Sequence, residues 1–156
     1  MPRHNLLMAG ILIIAHAPLA SSLRTVAQHV YPECGSDLHA LDVPPDAPAD
    51  EIERQARAML AEAGDQEALI LTDVFGATPC NVALRLADGV RVRVVAGVNV
   101  PMLWRTLCYG REPLDSLVTR AVAGATQGVM QVTPTRPQNQ TPAPRGHDQV
   151  ANHHQQ

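Results

Sequence analysis

The sequence predicts a doubly wound α/β domain of three layers. Two observations carry this. Ile11 to Ala15 form an unbroken apolar run, as in a strand buried on both faces of a parallel sheet. Leu19, Leu23, Val26, Ala27 and Val30 then recur at helical spacing, and this strand-then-helix order repeats along the chain. The expected sheet is mostly parallel, with about five strands.

The first strand is expected over residues 6–15, after a frayed start at residues 1–5. Pro18 opens a helix over 18–30, where its missing N–H costs nothing. Tyr31 and Pro32 break that helix, and residues 38–43 read as a second strand. Pro44, Pro45 and Pro48 form a stiff connector to a helix over 49–63. Asp50, Glu51 and Glu53 suit its positive end, and Gly64 stops it. A short buried strand follows at 68–73. Thr78 and Pro79 read as a hydroxyl cap and a first-turn proline for a helix to residue 87. A fourth strand is expected at 90–96 and a helix at 102–109. Leu114, Leu117, Val118, Ala121 and Val122 mark the final helix, and residues 128–132 a last strand. The domain is therefore read as residues 1–132. Residues 133–156 are proline, glutamine, asparagine and threonine-rich and read as a disordered polar tail. His147, His153 and His154 lie in that tail and read as solvated; no metal site and no cofactor is expected.

Composition excludes several classes. All 12 basic residues are arginine, which rules out a Walker-type phosphate loop with its lysine. A net charge of −3 gives no reason to expect nucleic acid or an anionic membrane as partner. At 3% aromatics, base-stacking platforms are not expected. The first apolar run leads straight into a βα unit and is too short to span a bilayer. Cys34, Cys80 and Cys108 show no paired spacing and read as buried or half-buried reduced thiols. The expectation is a cytoplasmic protein without membrane insertion.

In a parallel sheet the first, third and fourth strands end on one edge, where open α/β sheets bind ligands. Three loops then converge there. His16 offers an imidazole, a type of group that keeps a neutral nucleophilic nitrogen near physiological pH. Asp73 offers a carboxylate that fixes one ring nitrogen and exposes the other. Thr78 offers a hydroxyl at a helix start whose free N–H groups suit an anion, and the helix near Pro18 offers a second such set.

Three segments carry a resemblance. Residues 71–83, with Asp73, Gly76, Thr78, Pro79, Asn81 and Ala83, resemble the D-x-x-G-G-S/T-P-x-N-x-A loop of the mannose-class IIA components of the bacterial sugar phosphotransferase system. Residues 95–103, with Gly97, Asn99, Pro101, Met102 and Leu103, are similar to that family's G-x-N-L/I/V-P-M-L segment. His16, Ala20 and Leu23 resemble its H-G-x-x-A-x-x-L start. The resemblance implies a last strand that is antiparallel and exchanged across a homodimer. It implies that His16 accepts phosphate from the phosphocarrier HPr on Nε2 and passes it to a IIB component for carbohydrate uptake. Asp73 would orient His16, and Thr78 would face the phosphoryl group. Ala17, Gly76, Ala77, Asn81, Asn99 and Pro101 would form the surrounding phosphoryl- and partner-binding surface. The sequence departs from the pattern at Ala15, Ala17, Ala77 and Cys80, none of which removes a reactive group. Ala17 and Ala77 restrict backbone freedom beside the site.

A IIA-like pattern followed by a polar tail also fits a stand-alone regulator whose His16 phosphorylation state is read by a partner, without sugar transport. A receiver-like domain phosphorylated on Asp73 fits less well: the first strand ends in His16 rather than an acidic pair, and lysine is absent. A structural α/β protein without a site leaves the three converging loops unexplained.

Overall fold

The computed structural model describes residues 8–64 and 67–135. The tail histidines and the frayed start fall outside the described residues. Strands β1 (Gly10–His16), β2 (Leu38–Val43), β3 (Ala68–Thr72) and β4 (Val92–Ala96) alternate with helices α1 (Leu19–Val30), α2 (Ala49–Glu62), α3 (Thr78–Leu86), α4 (Val100–Cys108) and α5 (Leu114–Gly128). The sheet order is β2-β1-β3-β4, and every pairing is parallel.

Both sheet faces are covered, so the strands are apolar throughout. Ile11, Ile13, Ala15, Leu38, Leu69, Leu71 and Val95 pack under α1, α4 and α5. Leu12, Ile14, Leu41, Val43 and Ile70 pack under α2 and α3. Arg85 of α3 bonds Asp50 and Glu53 of α2, so the two helices of that layer are also tied at their surface. Cys80 is buried as expected, whereas Cys34 and Cys108 are exposed, because they sit at a turn after α1 and at the end of α4. Among the described residues, no helix is long and apolar enough to cross a membrane.

The expected fifth strand does not form within the chain. Helix α5 continues to Gly128, and residues 129–135 join no sheet. No antiparallel strand is present among the described residues, so the sheet is four-stranded and wholly parallel. The physical reason is packing: α5 is drawn tight against α4. A Cβ on Gly124 would lie 2.7 Å from the Arg105 Cβ, and one on Gly128 would lie 2.2 Å from the Pro101 Cβ. Neither contact is with a flexible side-chain end, so the helices must move apart. Gly124→Ala should destabilise the domain by about 1–2 kcal/mol despite alanine's better helix propensity. Thermal unfolding by circular dichroism checks this; an unchanged or raised midpoint would refute the close-packed α4–α5 contact.

Candidate phosphoryl-transfer site

His16 is the last residue of β1 and stands beside Val43 of β2. The Ala17 N–H donates to the Val43 carbonyl at 3.0 Å, which fixes the chain just beyond it. On the other side, Ile14 pairs with Thr72, so Asp73 emerges level with the end of β1. One Asp73 oxygen, Oδ2, accepts the His16 backbone N–H at 3.0 Å and lies 2.6 Å from the ring Nδ1. Its other oxygen accepts the Val74 N–H at 2.9 Å. A carboxylate at this distance favours the neutral tautomer with the proton on Nδ1 and the lone pair on Nε2.

The site is open. The His16 side chain is 50% exposed, against 13% for Asp73. Burial alone would push the Asp73 carboxyl up, but the His16 N–H, the His16 ring and the Val74 N–H outweigh it and hold the group below the usual carboxylate range. The pairing therefore contributes fully above the ordinary aspartate value, about 3.9, and is lost only as pH falls through the lower folded value.

The next loop turns at Gly76, whose φ of +88° suits glycine alone. The Asn81 side-chain amide reaches back to the Gly76 carbonyl at 3.5 Å. Helix α3 then begins, but with a difference from the expected cap. Ala77 is the N-cap residue and Thr78 the first helical one, with Pro79 behind it. The Thr78 hydroxyl is thus not spent on capping, and among the described residues no side chain accepts from the first-turn N–H groups. That leaves a helix end disposed toward an anion.

The second expected anion site is not free. The α1 N-terminus carries Asp42, whose Oδ1 accepts the Ser21 N–H at 3.0 Å. Ser21 and Ser22 turn their hydroxyls to the Pro18 carbonyl instead. Pro18 precedes the helix rather than opening it. Sequence reading missed Asp42 as a neighbour of the site; an aspartate near the end of a strand on the shared edge was the available signal.

The remaining predicted residues are placed unevenly. Ala17 is exposed next to His16. The Gly97 N–H donates to the Asp73 carbonyl, which brings the third loop to the same edge. Asn99, however, caps α4: its Oδ1 accepts the Met102 N–H at 2.8 Å, and its amide donates to the Ala125 carbonyl at 3.3 Å. Pro101 lies against α5. These two hold the α4–α5 unit. Leu19, Val74 and Phe75, unremarked in the sequence, stand exposed around His16's loops, Phe75 at 79%.

A family model described as "PTS system fructose IIA component", of the EIIA-man type, matches residues 10–119. The chain belongs to the mannose-class IIA family of the sugar phosphotransferase system. It is 30% identical over 139 residues to the "PTS system mannose-specific EIIAB component" of Escherichia coli strain K12, covering 86% of this chain and 43% of that protein. The chain thus spans less than half the length of the curated relatives it matches. The fold is similar to the mannose/sorbose-specific IIA subunit from Enterococcus faecalis (TM-score 0.76, 24% identity, 83% of this chain and 98% of that one). It is also similar to the PTS IIA protein associated with the fucose utilization operon of Streptococcus pneumoniae (TM-score 0.69, 26% identity, 80% and 93%). IIA components of this family are phosphotransfer proteins.

The geometry makes a direct expectation for the ring. Long-range ¹⁵N–¹H correlation at mildly alkaline pH should show His16 protonated on Nδ1 with an unprotonated Nε2. Asp73→Ala should return it to the mixed tautomers of a free imidazole. A wild-type ring protonated on Nε2 would refute the orienting contact.

Proposed function

We propose that this protein, acting in the cytoplasm, accepts a phosphoryl group from phosphorylated HPr on His16 Nε2 and passes it to a IIB component in carbohydrate uptake. The observation that carries this reading is the 2.6 Å contact between His16 Nδ1 and Asp73 Oδ2. It readies an exposed imidazole nitrogen as a nucleophile. In the transfer, the Nε2 lone pair forms a new N–P bond while the donor's N–P bond breaks, and that electron pair returns to the donor nitrogen. The proton on Nδ1 stays in place, and the positive charge developing on the ring faces the Asp73 carboxylate. The first-turn N–H groups of α3 and the Thr78 hydroxyl would meet the transferring oxygens. Phosphoryl transfer depends mainly on such positioning and charge stabilisation.

The openness of the site supports a protein donor. A cavity of about 220 Å³ lies at the opposite, amino edge of the sheet, beside Met8, Ile11 and Leu107. The segments that follow β1 and β3 at the His16 edge instead expose Leu19, Val74 and Phe75, an apolar surface suited to a second macromolecule.

His16→Ala should abolish phosphorylation by phosphoenolpyruvate, the first phosphotransferase enzyme and HPr, read as intact mass. Asp73→Asn should leave the domain folded and slow transfer about tenfold or more. Phosphate on the His16→Ala variant, or unchanged kinetics in Asp73→Asn, would overturn the assigned roles.

The working form we propose is a homodimer. The outer edge of β4 has no neighbouring strand among the described residues. Val129, Met130 and Val132 just beyond α5 are 76%, 68% and 84% exposed. A β-rich apolar segment and an open strand edge are complementary. Light scattering should give twice the chain mass, and Met130→Lys with Val132→Lys should give the monomer. A monomeric wild-type chain at working concentration would refute the dimer.

A further inference from the structure

Asp42 is the penultimate residue of β2, on the edge that carries His16. It stands beside Ala15, one position short of the His16–Val43 pairing. The two side chains leave opposite faces of the sheet. Leu38 and Ala40 precede Asp42 on the α1 face, and Leu12 and Ile14 precede His16 on the α3 face. Asp42 accepts the Ser21 N–H and forms no ion pair among the described residues. Its negative charge is therefore answered only by the partial positive end of α1. The starts of α1 and α3, the helices that follow β1 and β3, thus differ. The start of α3 has no side-chain acceptor, whereas that of α1 carries a full negative charge from β2.

We propose that Asp42 sets how firmly the phosphoryl group is held at His16, resting on the reading of His16 as the phosphoryl acceptor. A phosphoryl group brings about two negative charges. Adjacent strands lie about 4.8 Å apart, and two side chains on opposite faces then place their charges on the order of 10 Å apart. That is about the Debye length at 0.1 M salt, so repulsion persists but is salt-sensitive. Asp42 also cancels the attraction that the α1 N-terminus would otherwise exert. Both effects act in one direction: they raise the free energy of the phosphorylated state relative to the free one. A carrier that must give its group away benefits from a site that binds it loosely. Asp42 touches no reacting atom; it is a positioning residue that holds the start of α1 and fixes the local field.

The test is an equilibrium. The full chain and purified phosphorylated HPr are mixed in equal amounts, and the phosphorylated fraction of each is read by intact mass at low and high salt. Asp42→Asn keeps an oxygen for the Ser21 N–H and removes the charge. It should shift the equilibrium toward the phosphorylated chain about two- to fivefold at low salt, with a smaller shift at high salt. Asp42→Glu should stay close to wild type. Asp42→Ser is a second neutral acceptor should the asparagine variant fail to fold. An unchanged or reversed equilibrium in a folded neutral variant overturns the proposal and leaves Asp42 as a helix cap alone. Failure of the wild-type chain to take the group from HPr would instead sink the His16 reading itself, and this inference with it.

Discussion

The contact between His16 and Asp73 is the constraint on which the carboxyl edge depends. It exists because β1 and β3 are parallel neighbours in one register, from Gly10 beside Ala68 to Ile14 beside Thr72. Side chains alternate faces along a strand, so a one-residue slip would turn His16 away from its partner. Asp73 then serves more than the ring. Its carboxylate holds the His16 and Val74 N–H groups, and its carbonyl accepts the Gly97 N–H. All three loops of the site are thus referred to one residue. One residue thus steadies a ring whose side chain is half exposed.

Charge at this edge is arranged without lysine. Cationic side chains bring flexible stems and strong hydration. A helix N-terminus brings fixed donors and no side-chain entropy to lose. Of the helices that follow β1, β3 and β4 here, α1 meets Asp42 and α4 is capped by Asn99, while α3, with Ala77 as its N-cap, has no side-chain cap. A serine or aspartate at position 77 would satisfy those N–H groups internally. In this light Ala77, a departure from the family's second glycine, is compatible with anion binding: it has no side-chain acceptor to compete.

Much of this was legible in the sequence, because the signals are local. An unbroken apolar run, a histidine and a helix start name the end of β1 without any tertiary information, and Asp73 follows a second such run. The layered order of strands and helices was legible for the same reason. What escaped were contacts set by register and packing. Asp42 meets Ser21 across 21 residues only because β2 lies beside β1. Thr78 looked like a cap because serine and threonine usually are, yet the helix starts one residue earlier than that pattern implies. Asn99, named by motif as a site residue, also ties α4 to α5 through its side-chain amide. Motif spacing does not show which packing contacts such a residue also makes.

The segment after α5 shows the limit of propensity in a different way. Valines around a methionine, set off by a glycine, favour a strand, and Val129 does take an extended backbone. A strand, however, is stabilised by its neighbour, and a lone one has nothing to pair with. Within this chain the path is already set by Gly128 pressed against Pro101, which carries α5 to its last turn and releases the segment into solvent. The apolar side chains left there have the composition of buried residues and the exposure of a tail. The outer edge of β4 carries no neighbour among the described residues, so the proposed dimer is where such a strand would find one. The same reasoning explains why the site's loops need no such help, since β1 and β3 are central strands and find both neighbours within the chain.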